Sequence, residues 1–106
     1  MSADELYALI QRNEAPAVVD VRSRAEFDGG HVPGAVHLPF WAMMARADAI
    51  PGDRNAPVVL YCGHGPRAHA AGFALRRRGF SDVRYLEGHM SEWRRRGLPV
   101  EVNQTK

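Results

Sequence analysis

Cys62, the lone cysteine of this chain, is followed by Gly63-His64-Gly65-Pro66-Arg67-Ala68. Those residue types at those spacings are what an activated sulfur nucleophile requires. The two glycines let the backbone curl tightly and turn successive N–H groups toward one centre, a cradle for negative charge. Pro66 suits the first position of a helix, and the positive end of that helix adds to the cradle. Arg67 supplies a permanently charged, planar, forked donor. A helix amino terminus beside a cation favours the thiolate, the form of sulfur that attacks. Taken alone, a single cysteine reads as a small buried hydrophobe. Its conjunction with a glycine-rich turn, a helix start and a spaced arginine marks Cys62 as the candidate nucleophile. The residues Gly63, His64, Gly65, Pro66, Arg67 and Ala68 are then the candidate substrate-binding loop.

Such a loop works only if rigid elements hold it. Pro57-Val58-Val59-Leu60-Tyr61-Cys62 is a continuous apolar run of the kind buried in parallel sheets, and it ends at the candidate nucleophile. The helix opened by Pro66 runs through Ala70, Ala71, Phe73, Ala74 and Leu75 and stops at Gly79. Upstream, Ser2 and Glu5 have capping-box spacing before Leu6, Leu9 and Ile10, predicting a helix from about Ser2 to Arg12. Ala17-Val18-Val19-Asp20-Val21 reads as a strand. Ser23 caps a short helix bearing Glu26 and Phe27 that Gly29-Gly30 ends. Ala35-Val36-His37-Leu38 is a short strand, and Pro39 opens a helix through Trp41, Met43, Met44 and Ala45 that stops before Pro51-Gly52. Asp82 to Leu86 is a further strand, Gly88 to Arg96 the last helix, and Gly97 to Glu101 an extended tail. Strands alternating with helices predict an α/β fold: a mostly parallel sheet with helices on both faces and ligands beyond the carboxyl ends of its strands.

Length and charge narrow the remaining classes. The chain has 106 residues, the size of one compact domain over residues 1–106. Hydrophobic residues are 45% and charged residues 25% of it, an ordinary globular balance. The apolar stretch Ala56 to Tyr61 is far short of the ~20 residues of a membrane span. One cysteine excludes a disulfide scaffold and, with an acidic amino terminus unlike a signal peptide, points to the cytoplasm. Arg76-Arg77-Arg78 and Arg94-Arg95-Arg96 each close a helical pattern before a glycine, where cations complement the helix dipole. No aromatic residues interleave with them, so nucleic acid is not an expected partner. The net charge of +2 leaves a mild field that favours small anions.

The segment Cys62 to Ala68 resembles the active-site loop of the rhodanese-like sulfurtransferases, and the resemblance extends over nearly the whole chain. Asp20-Val21-Arg22, then Glu26-Phe27 with Gly30-His31-Val32-Pro33-Gly34-Ala35, then His37-Leu38-Pro39 are similar to successive family motifs. Gly79-Phe80, Val83, Leu86, Gly88, Trp93 and Gly97-Leu98-Pro99-Val100 fit the closing portion. In one place the chain departs from the pattern: Gly88-His89 stands where the family often has two glycines, which bears on backbone shape or substrate preference beside the loop. The resemblance implies a rhodanese-like fold with a central, mostly parallel, five-stranded sheet. It also implies sulfur transfer without metal or organic cofactor. A Cys62 persulfide would form from a small anionic donor such as thiosulfate and pass its sulfur to cyanide, glutathione or a protein thiol. Two alternatives stand beside it. Phosphatases and arsenate reductases on a similar scaffold have a longer loop than the four residues between Cys62 and Arg67. A persulfide-carrying or regulatory binding module is the other.

The remaining polar residues read as follows. His64 is either a donor contact or a turn filler. His31 reads as structural, while His37, His69 and His89 read as packing or surface residues, with no metal-ligand spacing among them. Asp20 and Arg22 are expected to form an internal ion pair, Glu26 to be structural, and Trp41, Met43 and Met44 to pack in the core.

Overall fold

A computed structural model describes residues 1–103. Its sheet has strand order β2-β1-β3-β4, built from β1 (Ala17–Asp20), β2 (Val36–His37), β3 (Val58–Tyr61) and β4 (Val83–Tyr85). Every pairing in it is parallel. The chain steps outward from β1 to β2, then returns to the centre at β3 and proceeds to β4 on the other side. The β1/β3 junction is therefore the topological switch point, where the loops diverge and leave a crevice at the carboxyl ends. Cys62 follows β3 there, and Val21-Arg22 follows β1 beside it.

Helices cover both faces, as the alternating pattern predicts: α1 (Ala3–Gln11), α2 (Arg24–Asp28), α3 (Met43–Arg46), α4 (Pro66–Arg77) and α5 (His89–Arg95). The capping boxes at Ser2/Glu5 and Ser23/Glu26 both form. Strand β3 is buried along its whole length and divides its side chains between two cores, since alternate residues of a strand point to opposite faces. Val58, Leu60 and then Cys62 join Val19, Val21, Leu38, Met43, Ala71 and Leu75 under α3 and α4. Val59 and Tyr61 join Leu6, Phe27, Val32, Met90 and Trp93 under α1, α2 and α5. Each fully buried side chain of this size contributes about 1.5–3 kcal/mol, so the strand that presents Cys62 is anchored from both sides.

Two expectations are corrected. The sheet has four strands, not five: the extended tail makes only an isolated antiparallel bridge, Glu101 with His31. Pro99 cannot donate to a ladder, which keeps that segment from pairing further. The predicted helix after Pro39 is broken into a 3₁₀ turn (Phe40–Ala42), the one-turn α3 and a second 3₁₀ turn (Ala47–Ala49). Arg46, at φ −123°, ψ 19°, leaves helical geometry and ends α3. In consequence only Met43 packs in the core, while Trp41 is 76% and Met44 49% exposed.

Candidate functional site

The turn after β3 begins with a buried sulfur. Cys62 has no exposed surface, and its Sγ accepts a hydrogen bond from the Gly65 N–H at 2.9 Å. Gly65 reaches that position at φ 137°, ψ −44°, a backbone region essentially reserved for glycine, and it is also the residue that caps α4. No side chain caps α4 and its first residue is Pro66, so the positive end of a 12-residue helix faces the loop. The amide directed at sulfur and the helix start behind it match the sequence-based expectation. Complete enclosure of the sulfur does not follow from the sequence pattern, which only requires the strand end.

The rest of the predicted loop divides between surface and interior. His64 and Pro66 are exposed, Gly63 and Arg67 half-buried, and Gly65 and Ala68 buried. His64 lies on the rim of a 190 Å³ cleft that it shares with Gly63, Arg22, Met90, Ser91 and Arg94. The loop is stitched to the start of α5: the Met90 N–H donates to the Cys62 carbonyl at 3.0 Å and the Ser91 N–H to the Gly63 carbonyl at 3.2 Å.

Arg67 is engaged by a carboxylate of α2. Its Nη1 and Nη2 donate to the two oxygens of Glu26 at 2.7 and 3.2 Å, and a Cβ placed on Gly63 would lie 3.3 Å from Nη2. The fork thus straps the loop onto α2. The hydrogen bond from Arg67 holds the Glu26 carboxyl well below the usual range, at about 2, with the Ser23 capping donors assisting against desolvation. Glu26 reads from sequence as structural, and it completes the capping box with Ser23; that it also engages Arg67 depends on how α2 is laid across the sheet.

Behind the loop lies a buried ion pair. Asp20 and Arg22, 0% and 5% exposed, meet through a forked contact whose shortest arm is 2.7 Å. The Tyr61 hydroxyl donates to Asp20 at 2.8 Å and accepts from the Val32 N–H at 3.0 Å. Burial, with Asp20 beside it, keeps that hydroxyl protonated. Arg22 also donates to the Gly30 carbonyl at 2.8 Å. The expected ion pair is present and orients both strand ends at the switch point.

His89, read from sequence as a packing or surface residue, is brought by the fold to the backbone of Cys62. It is buried, and its Nδ1 accepts the Cys62 backbone N–H at 3.2 Å. His31, read as structural, stacks on Phe27 and bonds the Phe27 carbonyl at 2.8 Å. Among the described residues no group of His, Cys, Asp and Glu is arranged to hold a metal ion, and no helix is long and apolar enough to cross a membrane.

A doubly covered parallel sheet with a cysteine loop at its switch point defines the class, and the comparisons agree. Residues 2–96 match the rhodanese-like domain, and the chain belongs to that family. It is similar to a sulfurtransferase of Allochromatium vinosum, 34% identical over 100 residues that cover 94% of this chain and 92% of that one. Thiosulfate sulfurtransferase GlpE of Pseudomonas fluorescens is 35% identical over 98 residues, 92% of this chain and 86% of the relative. An HTH-type transcriptional regulator of Mycobacterium tuberculosis is 39% identical over 97 residues, and there the chain spans 42% of the relative's length. Among solved structures, thiosulfate sulfurtransferase from Pseudomonas aeruginosa superposes with a TM-score of 0.86 at 26% identity, covering 97% of this chain and 20% of that one.

Proposed function

We propose that this protein is a sulfurtransferase in which Cys62 carries the transferred sulfur. The observation that carries the reading is the Cys62 Sγ seated at the end of β3 with the Gly65 N–H on it at 2.9 Å. An amide so directed favours negative charge on sulfur, and α4 adds its positive end. The names of the similar sulfurtransferases support the reaction class.

The chemistry is a double displacement. The Cys62 thiolate attacks the outer sulfur of thiosulfate, forming a new S–S bond. The old S–S bond breaks, and sulfite leaves with its electron pair. The persulfide that remains has a terminal anionic sulfur, and the loop N–H groups stabilise it as an oxyanion hole stabilises oxygen. A thiophilic acceptor (cyanide, glutathione or a protein thiol) then attacks that outer sulfur and the Cys62 thiolate departs. The residues Gly63, His64, Gly65, Pro66, Arg67 and Ala68 form the wall through which the donor enters. Because Sγ is enclosed at rest, entry requires the Gly63–Gly65 turn to move aside, on the side that His64 leaves facing solvent.

The test is intact-protein mass spectrometry after exposure to thiosulfate, followed by an acceptor panel. The expected result is a gain of one sulfur atom that cyanide or a thiol removes, and Cys62→Ser abolishes it. Loading that survives in Cys62→Ser, or an aryl phosphate turned over faster than thiosulfate, overturns the reading.

A further inference from the structure

The position of His89 demands an explanation that core packing does not supply. Its backbone sits at φ 55°, a left-handed conformation that a histidine adopts at a cost, directly after Gly88 at φ 74°. Glycine fits such a position without strain, whereas a histidine does not. A strained histidine held inside the protein persists where surrounding interactions hold it.

Three contacts meet at its ring. Nδ1 accepts the N–H of Cys62 at 3.2 Å. The ring backs Gly65, where an added Cβ would stand 3.4 Å from Nε2. His69 of α4 lies edge-on, with ring centroids 6.4 Å apart, and is itself packed on Tyr85 of β4. One imidazole is therefore bonded to the residue that bears the sulfur and stands beside the residue whose amide is bonded to it. As an acceptor at Nδ1, the neutral ring carries its proton on Nε2.

We propose that His89 is a positioning residue for Cys62: it fixes the Cys62 N–H with Nδ1 and braces Gly65 with its ring, keeping the sulfur and its amide donor in register. The role rests on the sulfurtransferase reading for its kinetic consequence but not for its geometry. It also makes the register sensitive to protons, because protonation places an N–H on Nδ1 that faces the Cys62 N–H, donor against donor. The titratable groups facing the ring are Cys62 just after β3, His64 from the loop and His69 from α4. Glu92, on its own helix, is engaged by Arg95 and Arg96. Burial, then His69 and His64, hold the ring below the ordinary histidine range, so it stays neutral at pH 7.

Two variants and one spectrum decide the matter. His89→Gly relieves the backbone and leaves the buried Cys62 N–H without its acceptor. The expected outcome is a kcat for thiosulfate about ten-fold lower, with KM little changed and thermal stability retained. His89→Asn tolerates the same backbone conformation and offers an amide oxygen near the position of Nδ1. It restores most of kcat and removes the acid limb that the wild type shows below the usual histidine range. In the wild-type protein, the amide signal of Cys62 shifts together with the His89 ring through its acid titration. The proposal is overturned if His89→Gly keeps the wild-type kcat and pH profile, if His89→Asn is as impaired as His89→Gly, or if the Cys62 amide ignores the ring's titration. Failure of the wild type to load any sulfur would instead sink the sulfurtransferase reading, while the amide titration still decides the role of His89.

Discussion

Breaking the Arg67–Glu26 strap separates what holds the loop from what reacts in it. Glu26→Gln is the cleanest perturbation, because glutamine keeps the capping box with Ser23 and removes only the charge. The Glu26 carboxyl moves from 4.5 to about 2 on folding, with the hydrogen bond from Arg67 as the largest cause. Fully buried, a fall of that size would be worth a few kcal/mol at ~1.4 kcal/mol per tenfold change in acidity. The partners are 34% and 40% exposed, so solvent screening reduces the coupling to about 1 kcal/mol.

The folded-state value lies below the unfolded one, so this stabilisation is complete above pH 4.5 and is lost as pH falls toward about 2. Urea denaturation of the wild type, Glu26→Gln, Arg67→Ala and the double variant at neutral and acid pH measures it as a cycle. The expected coupling at pH 7 is about 1 kcal/mol, shrinking as the wild-type curve approaches that of Glu26→Gln in acid. Glu26→Gln also frees a guanidinium beside the loop and lowers the KM for thiosulfate several-fold at low salt. A coupling below the ~0.3 kcal/mol error of such cycles, or one that does not change with pH, refutes the reasoning.

The other two predictions concern charges on either side of the loop. Asp20→Ala leaves Arg22 buried and unpaired and the Tyr61 hydroxyl without its acceptor; it should cost about 3–5 kcal/mol in chemical denaturation. Arg94, which lines the cleft beside Gly63 and His64 and contacts only the Gly30 carbonyl, at 3.5 Å, has no carboxylate partner among the described residues. Arg94→Ala should raise the KM for thiosulfate several-fold with kcat unchanged, an effect that disappears at high salt, where exposed charges are screened.

The parts of the fold legible in sequence are those governed by short-range rules. The capping box at Ser2, the cap at Ser23, the start of α4 at Pro66 and the buried run of β3 each depend on a few adjacent residues, and each forms where the pattern places it. The break in α3 was not legible, because Arg46 leaves helical geometry in a segment whose residues all tolerate helix. The residue pattern marks four strands, the number the sheet has among the described residues; the fifth came only from the family resemblance. The loop itself was legible from residue types alone. Its two outside anchors were not: Glu26 reaches Arg67 across 41 positions, and His89 reaches Cys62 across 27. Neither contact leaves a local mark, since the left-handed backbone of His89 is set by the tight turn at Gly88 and shows only once the chain is folded.

These anchors also bear on which anion the loop can serve. A tetrahedral oxyanion is held by several convergent amides and by an arginine fork free to bind two of its oxygens. Here both arms of the Arg67 fork are taken by Glu26. Glu26 stays ionised at neutral pH, with its carboxyl at about 2, so the strap does not release by protonation. Arg22, the next guanidinium along, is likewise matched to Asp20. The charge that remains in the loop itself is the partial charge of main-chain N–H groups, and one of them is already on the sulfur at 2.9 Å. That field suits a single polarisable atom added to Sγ better than a group with three or four oxygens. The persulfide of the proposed function would add one such atom, its charge on the outer sulfur, at the helix start that no side chain caps. Under the proposed function, selectivity for sulfur would follow from internal neutralisation of the arginines as much as from the shortness of the loop.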